Sequence, residues 1–182
     1  GLLGIALHPQ FPDNPGVYLY WTESTSGADS NMLSETSLLG NRVDRFIWDE
    51  SSGTLTMERN LIRLRAIQED AGQPPRGNHD GGVLKFGPDG KLYIFMGDNG
   101  RRGQMQNLPC GPTPDCPGTT VADDQFGGPE PDNAHLTGVV LRLNDDGSTP
   151  SDNPFFNAGM SMGGEVGMNI QKIYSYGHRN SI

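Results

Sequence analysis

The sequence predicts an all-β protein built from repeated four-stranded antiparallel units, as in a β-propeller. Of its 182 residues, 26 are glycine and 14 are proline, while 8% are aromatic. This composition favours many short strands and turns over long helices. A strand, a proline-containing turn and a tyrosine-bearing strand also occur twice, as IALHPQFPDNPGVYLYW and LKFGPDGKLYIFM. Repetition of a four-stranded unit is typical of a propeller.

The first unit contains four predicted strands in roughly 60 residues, which is the size of a propeller blade. Residues 2–7 are apolar throughout and predict a buried strand, and the segment 8–16 is rich in turn formers. The other three predicted strands cover 17–22, 42–48 and 54–64. The polar stretch 24–41 between the second and third strands is interpreted as a surface loop.

The second unit begins with a hairpin. Its strands are predicted at 83–86 and 92–96, and the sequence GPDG between them supplies the residues that reverse a chain. Further strands are predicted at 139–143 and 170–176, so that about two and a half blades are expected in all. A long irregular insertion over 99–137 interrupts this unit, and long loops of this kind are usually functional or disordered.

These units form one partial propeller domain over residues 1–182. The chain opens at Gly1 on a strand-like run and stops at Ile182 directly after a polar motif. We therefore expect a piece of a longer polypeptide, incomplete at both ends, whose remainder completes the propeller.

The charge of the chain argues against a nucleic-acid partner. Its formal net charge is −9, from 22 acidic and 13 basic residues. A phosphate-binding surface needs clustered lysine and arginine, and no such cluster is present in the sequence. The longest apolar runs are only a few residues, so no membrane span is predicted.

The two cysteines, Cys110 and Cys116, lie in the short motif CGPTPDC. A disulfide between them would close a small loop and would indicate an oxidising compartment, either the periplasm or the cell exterior. The rival interpretation is a metal site, but two cysteines without a nearby histidine or third cysteine are a poor zinc set. We favour the disulfide.

A histidine and a carboxylate flank the central hairpin. His79 precedes its first strand and Asp98 follows its second, so the two side chains should meet at one end although 19 residues separate them. A histidine held by a carboxylate is a common general base. The alternatives are a solvated loop histidine and an aspartate that only forms a turn with Asn99 and Gly100.

Four motifs in order resemble the soluble quinoprotein sugar dehydrogenases, the glucose/sorbosone dehydrogenase family. They are GLLGIALHPQF with VYLYWT, HDGGVLKFGPDGKLYIFMGDNG, TGVVLRLNDDGSTPSDNPFF and IYSYGHRN. The resemblance runs from Gly1 to Asn180, with its main interruptions at 24–41 and 99–137. It implies a six-bladed β-propeller that binds pyrroloquinoline quinone, together with calcium, at the mouth of its channel.

The resemblance assigns roles to individual residues. His79 matches the family's catalytic base, and Asp98 matches the carboxylate that hydrogen-bonds this base. Arg179 and Asn180 match residues that contact the quinone. Gln104 matches a further active-site glutamine, with a register shift of one residue. The position after the base, often asparagine in the family, is Asp80 here, which makes the neighbourhood more acidic.

The implied function is oxidation of aldose sugars or related alcohols outside the cytoplasm. An external electron acceptor would reoxidise the quinone, and the calcium ligands would lie outside this chain. The sequence Asp145-Asp146-Gly147 lacks a full calcium-ligand pattern and is interpreted as a plain turn. His8 and His178 are interpreted as structural, and His135 has no assigned role.

The competing class is a non-catalytic propeller that binds a protein or glycan partner. In that case Arg179 would only tie blades together through backbone carbonyls. Such a scaffold needs neither a base nor a quinone contact. The joint presence of His79, Asp98 and Arg179 therefore favours the enzyme.

Overall fold

Two four-stranded antiparallel sheets form the structure, a computed structural model that describes residues 1–25, 38–67, 77–100 and 136–180. In each sheet the strands lie side by side in the order in which they occur in the sequence. This meander is the form expected of a propeller blade, and the all-β prediction is confirmed. The described residues contain two four-stranded sheets.

The first sheet, here called blade 1, follows the prediction closely. Its strands are β1 (Leu2–Leu7), β2 (Gly16–Ser24), β3 (Leu38–Asp49) and β4 (Thr54–Leu64). The second and third strands are longer than predicted and extend into the segment that was interpreted as a surface loop. Residues 26–37 of that segment lie outside the described residues.

The second sheet, blade 2, contains the predicted hairpin. Its strands are β5 (Leu84–Phe86), β6 (Leu92–Met96), β7 (Val139–Leu143) and β8 (Ile173–Tyr176). Both predicted turns form, since the amide of Gly90 donates to the carbonyl of Gly87 at 3.0 Å and that of Gly147 to Asn144 at 3.0 Å. Of the predicted insertion at 99–137, residues 101–135 lie outside the described residues, and so do Gln104, Cys110, Cys116 and His135.

The prediction of a single strand over 170–176 was wrong. Two helices, α1 (Phe156–Met162) and α2 (Gly164–Lys172), connect β7 to β8, which begins only at Ile173. Glycines weaken helix propensity and hid both helices from the sequence pattern. Gly159 and Gly167 are nevertheless required, because a Cβ at either one would collide with the backbone carbonyl of the other. The two short helices are therefore held together by a close backbone contact.

The prediction that β1 is buried was also wrong. Leu2 is 62% exposed, Ile5 59% and Leu7 49%. β1 is an edge strand of blade 1, and its described contacts are with β2 and β5. An apolar sequence indicates that a strand can be buried, but it does not show which segment packs against the strand.

The core lies between the two blades. Fully buried side chains from β2 and β3 of blade 1 meet those of β6, β7 and β8, and Ile170 of α2 joins them. The ring of Tyr18 meets that of Phe86 edge to face with centroids 5.0 Å apart. The Tyr18 hydroxyl donates to the carbonyl of Asp145 at 3.2 Å, which ties the blades together near the turns. Burial raises the pKa of Tyr18 to about 12, so its phenol stays a donor.

Antiparallel order places the site segments at one end of the two blades. Residues 79–82 lead into β5, residues 97–100 follow β6, and residues 177–180 follow β8. The GPDG and NDDG turns lie at the opposite end. Blade geometry alone therefore gathers three chain segments that are distant in sequence.

Candidate active site

Gly97 is the point where the three site segments meet. The amide of the next residue, Asp98, donates to the carbonyl of Arg179 at 2.8 Å. The amide of Gly138 donates to the carbonyl of Gly97 at 2.9 Å, and that of His178 to the carbonyl of Gly138 at 3.0 Å. These bonds extend the blade 2 ladder beyond its strands and fix the backbone on which the site is built.

His79 and Asp98 meet as the hairpin argument predicts. Nδ1 of His79 lies 2.8 Å from Oδ1 of Asp98. A carboxylate oxygen can only accept, so Nδ1 is the donor in this contact, and Nε2 is the nitrogen that points away from the carboxylate. The same Oδ1 accepts from the amide of Gly100 at 2.9 Å. Asp98 is 3% exposed and His79 25%, so the carboxylate is buried beneath a ring that solvent can reach.

His79 has an unusual backbone conformation. Its φ is 60°, and Asn99 opposite it has φ of 51°. The left-handed region is sparsely populated by residues other than glycine, although asparagine, aspartate and histidine adopt it more often than the others. Strain of this kind costs on the order of 1–3 kcal/mol and is concentrated at functional sites. The conformation supports a specific role for the His79 ring.

Glycines allow the two site segments to approach each other. A Cβ on Gly97 would collide with the carbonyl oxygen of His79, and a Cβ on Gly81 would lie 2.5 Å from the carbonyl oxygen of Phe95. Gly81 also has φ of 74°. The sequence analysis missed both residues as site components. The available signal was the pair of glycine-containing motifs, HDGG and GDNG, directly around His79 and Asp98.

Blade 1 also contributes to the site, although no local sequence pattern indicates this contribution. Nδ2 of Asn41 donates to Oδ1 of Asp80 at 2.9 Å. The hydroxyl of Tyr20 lies 2.8 Å from the carbonyl of Asp80 and 2.9 Å from Sδ of Met96. Burial raises the pKa of the Asp80 carboxyl, an effect that the hydrogen bond from Asn41 opposes. Asp80, the acidic residue after His79, is thus tied to the neighbouring blade.

Arg179 and Asn180 follow β8 at the same end of blade 2 as His79 and Asp98. Only the main chain of Arg179 contacts Asp98, and the Arg179 and Asn180 side chains are exposed at the same end of the blades. This main-chain contact lies within blade 2, so it does not test the alternative interpretation in which Arg179 ties blades together. Gln104, the remaining predicted contact, lies outside the described residues.

His8 and His178, the other two histidines among the described residues, are in structural surroundings. Nδ1 of His8 accepts from the amide of Gln10 at 3.1 Å, and its ring packs against Phe86. Nε2 of His178 lies 2.8 Å from the hydroxyl of Ser175, and its ring packs against Phe95. Oδ1 of Asp146 accepts the amide of Ser148 at 2.9 Å within the predicted turn.

The fold and site together define a β-propeller segment with a histidine–carboxylate pair at one end of its blades. The chain matches the sequence profile of the Glucose / Sorbosone dehydrogenase family over residues 1–111 and 119–182. It belongs to that family. The resemblance inferred from the motifs and the propeller prediction are thereby confirmed.

Known proteins resemble the chain along nearly its whole length. Quinoprotein glucose dehydrogenase B of Acinetobacter calcoaceticus is 36% identical over 182 residues, covering 99% of this chain and 32% of that protein. The solved PQQ-bound form of aldose sugar dehydrogenase from Streptomyces coelicolor matches with TM-score 0.56 and 30% identity, covering 99% of this chain and 37% of that one. The chain thus spans about a third of these relatives. Mouse Hedgehog-interacting protein is 27% identical over 170 residues, covering 87% of this chain and 19% of that protein.

The described residues fit a quinone better than a metal ion. Arg179 and Asn180 are exposed and follow β8 at the same end of blade 2 as His79, and a guanidinium and a carboxamide are suitable donors for an anionic, oxygen-rich cofactor. In contrast, no group of three or more histidine, cysteine or acidic side chains within the described ranges could hold a metal ion. No helix in the same ranges is long and apolar enough to cross a lipid bilayer.

Proposed function

We propose that this chain carries the base and part of the quinone site of a dehydrogenase that oxidises aldose sugars or related alcohols. The observation that carries the proposal is the 2.8 Å contact between His79 and Asp98, which directs the lone pair of Nε2 away from the carboxylate. Membership of the Glucose / Sorbosone dehydrogenase family supports the substrate class. The PQQ-bound relative supports the cofactor.

In the proposed reaction, His79 is the general base. Nε2 takes the proton of the sugar hydroxyl while the C–H bond breaks and its hydride leaves, so that the carbon becomes a carbonyl. Bound pyrroloquinoline quinone would supply the two-electron acceptor for that hydride. Asp98 holds the Nδ1 proton and stabilises the imidazolium that forms. His79 is held in place and needs no reorientation before reaction.

Arg179 and Asn180 bind the quinone in this proposal. A guanidinium is always charged and offers planar donors, so it can stabilise negative charge on quinone oxygens. Asn180 adds amide donors beside it. Gln104 is proposed as a further contact.

The remaining parts of the function are predictions. Calcium is also proposed, and its ligands would lie outside the described residues, which contain no group of three or more histidine, cysteine or acidic side chains that could hold it. An external electron acceptor would remove the electrons from the quinone. A periplasmic or extracellular location depends on a disulfide between Cys110 and Cys116, which lie outside the described residues.

The second candidate is a non-catalytic propeller that binds a protein or glycan. The similarity to Hedgehog-interacting protein favours it. The strained His79 argues against it, because a binding scaffold gains nothing from holding one histidine in a left-handed conformation against a buried carboxylate.

The test is to express the full-length protein, add pyrroloquinoline quinone with calcium, and assay aldose oxidation with an artificial electron acceptor. We expect quinone-dependent turnover that His79→Gln lowers by on the order of 10²-fold or more while quinone binding persists. The matched control is His8→Gln, at a histidine that contacts only structural groups. Absence of both turnover and quinone binding across a broad sugar panel would support the binding scaffold instead.

A further inference from the structure

Asn41, at the beginning of β3, is part of blade 1 but contacts the residue next to the proposed base. Its side-chain amide makes three hydrogen bonds to described residues. Oδ1 accepts from the Thr22 hydroxyl at 2.7 Å, while Nδ2 donates to the Arg65 carbonyl at 3.0 Å and to Asp80 Oδ1 at 2.9 Å. The side chain is also completely buried. Three partners in three directions leave a single orientation for this amide.

Asp80 is therefore held at two points by blade 1. Its carboxylate is bound by Asn41, and its main-chain carbonyl lies 2.8 Å from the hydroxyl of Tyr20. The following glycine, Gly81, is packed against the carbonyl of Phe95. Asp80 cannot rotate without breaking a contact between the blades.

His79 lies between this anchored residue and Asp98. The carbonyl of His79 accepts from the amide of Asn99 at 3.4 Å, a long bond that contributes little. Asn99 in turn donates from Nδ2 to the same Arg65 carbonyl, at 3.3 Å. Asp80, which follows His79, and Asn99, which bonds its carbonyl, are thus both hydrogen-bonded to the end of blade 1 that contains Asn41 and Arg65.

We propose that Asn41, acting through Asp80, is a positioning residue that keeps His79 in the left-handed conformation in which Nδ1 meets Asp98. This inference rests on the proposed role of His79 as base. It assigns to blade 1 a part in the reaction although Asn41 touches neither substrate nor quinone. A left-handed histidine reverts to an extended or helical conformation unless its neighbours hold it. The hydrogen bond from Asn41 to Asp80 is the described side-chain contact best placed to do so.

The experiment uses the full-length protein and two isosteric variants. Asn41→Asp replaces the donor with an acceptor that faces the Asp80 carboxylate, whereas Asp80→Asn keeps an oxygen that accepts from Asn41. We expect Asn41→Asp to lower kcat on the order of tenfold to hundredfold with little change in KM, as a small misplacement of a base does. Asp80→Asn should stay within about threefold of the parent kcat, because the positioning bond survives.

Two controls separate positioning from general damage. Asn60→Ala removes an amide that bonds Val43 and Asp44 in the same blade, away from the site, and should lower stability but not kcat. In a His79→Gln background, Asn41→Asp should have no further effect on kcat, because its influence passes through His79. If Asn41→Asp lowers kcat equally with and without His79, the role is merely structural and the inference is wrong.

A second readout needs no turnover. The Nδ1 proton shared with Asp98 should give a downfield proton resonance in the protein without quinone, identified by its loss in His79→Gln. The resonance should persist in Asp80→Asn and weaken or disappear in Asn41→Asp. Should Asn41→Asp fail to fold, Thr22→Val, which removes one donor to Asn41, takes its place with a smaller effect in the same direction. An unchanged resonance and kcat would overturn the inference, whereas an inactive parent protein with the expected resonance changes would contradict only the proposed reaction.

Discussion

The carbonyl oxygen of His79 lies directly against the α-carbon of Gly97, in the space that a Cβ at position 97 would occupy. The contact is between backbones, so no flexible side chain can move aside. It sets the distance between the segment that carries His79 and the segment that carries Asp98.

Gly97→Ala should therefore separate the proposed base from its carboxylate. We expect a loss of stability of about 1–3 kcal/mol, as overpacking usually costs, and a larger proportional loss of kcat. Thermal unfolding and steady-state kinetics measure the two effects. Gly90→Ala is the matched control, because its φ is 71° but no atom lies within 4 Å of the added carbon. It should destabilise the protein and leave kcat unchanged.

Asp98 offers a way to separate charge from orientation. Both of its hydrogen bonds, to His79 and to Gly100, end on Oδ1. In Asp98→Asn the amide oxygen can occupy this place, keep both bonds and preserve the proton on Nδ1. Asp98→Ala loses the bonds as well as the charge. We expect Asp98→Ala to lower kcat by about 10²-fold or more and Asp98→Asn to lower it less. Equal losses would mean that the charge alone matters.

Asp80 predicts a pH dependence of stability. Burial raises its pKa, opposed by the hydrogen bond from Asn41, so the folded state binds this proton more tightly than the unfolded chain. Its contribution to stability is then largest below the ordinary carboxyl pKa and is lost as the pH rises through the raised value. Asp80→Asn removes this loss. The difference in Tm between Asp80→Asn and the parent should grow in favour of the variant from pH 4 towards pH 7, and a constant difference would contradict the prediction.

Arg179 should contribute to quinone affinity and not to folding. Its side chain is exposed, and its structural contact with Asp98 is made by the main chain, which substitution retains. We expect Arg179→Met to raise the Kd for pyrroloquinoline quinone about tenfold or more, since bonds to charged groups contribute roughly 1.5–3 kcal/mol. Absorbance titration gives the Kd. Arg59→Met, at another exposed arginine on β4, should leave it unchanged.

Local sequence rules predicted much of the structure. The turn GPDG fixes β5 against β6, and a hairpin necessarily brings its two flanks together, so the contact between His79 and Asp98 followed from the sequence. Proline and glycine likewise marked most strand boundaries in blade 1. The glycines of HDGG before β5 and of GDNG after β6 also indicate a close approach of the two backbones, which Gly81 and Gly97 permit.

Non-local contacts could not be predicted in the same way. The bond from Asn41 to Asp80 joins β3 of blade 1 to the segment before β5, across 39 positions, and nothing in either local sequence indicates the other. The helices before β8 were missed because Gly159 and Gly167 have poor helix propensity and serve a close crossing that only tertiary structure reveals. The exposure of β1 could not be predicted for a similar reason, since the burial of a strand depends on which other segment packs against it.

The exposed leucines and isoleucine of β1 affect how this segment behaves outside a complete protein. An apolar edge strand with unpaired backbone groups is a template for intermolecular strand pairing. Leu2, Ile5 and Leu7 are about half exposed or more. We therefore expect the 182-residue segment, produced by itself, to aggregate through β1. The substitution Ile5→Lys would improve solubility for biophysical work on the two blades.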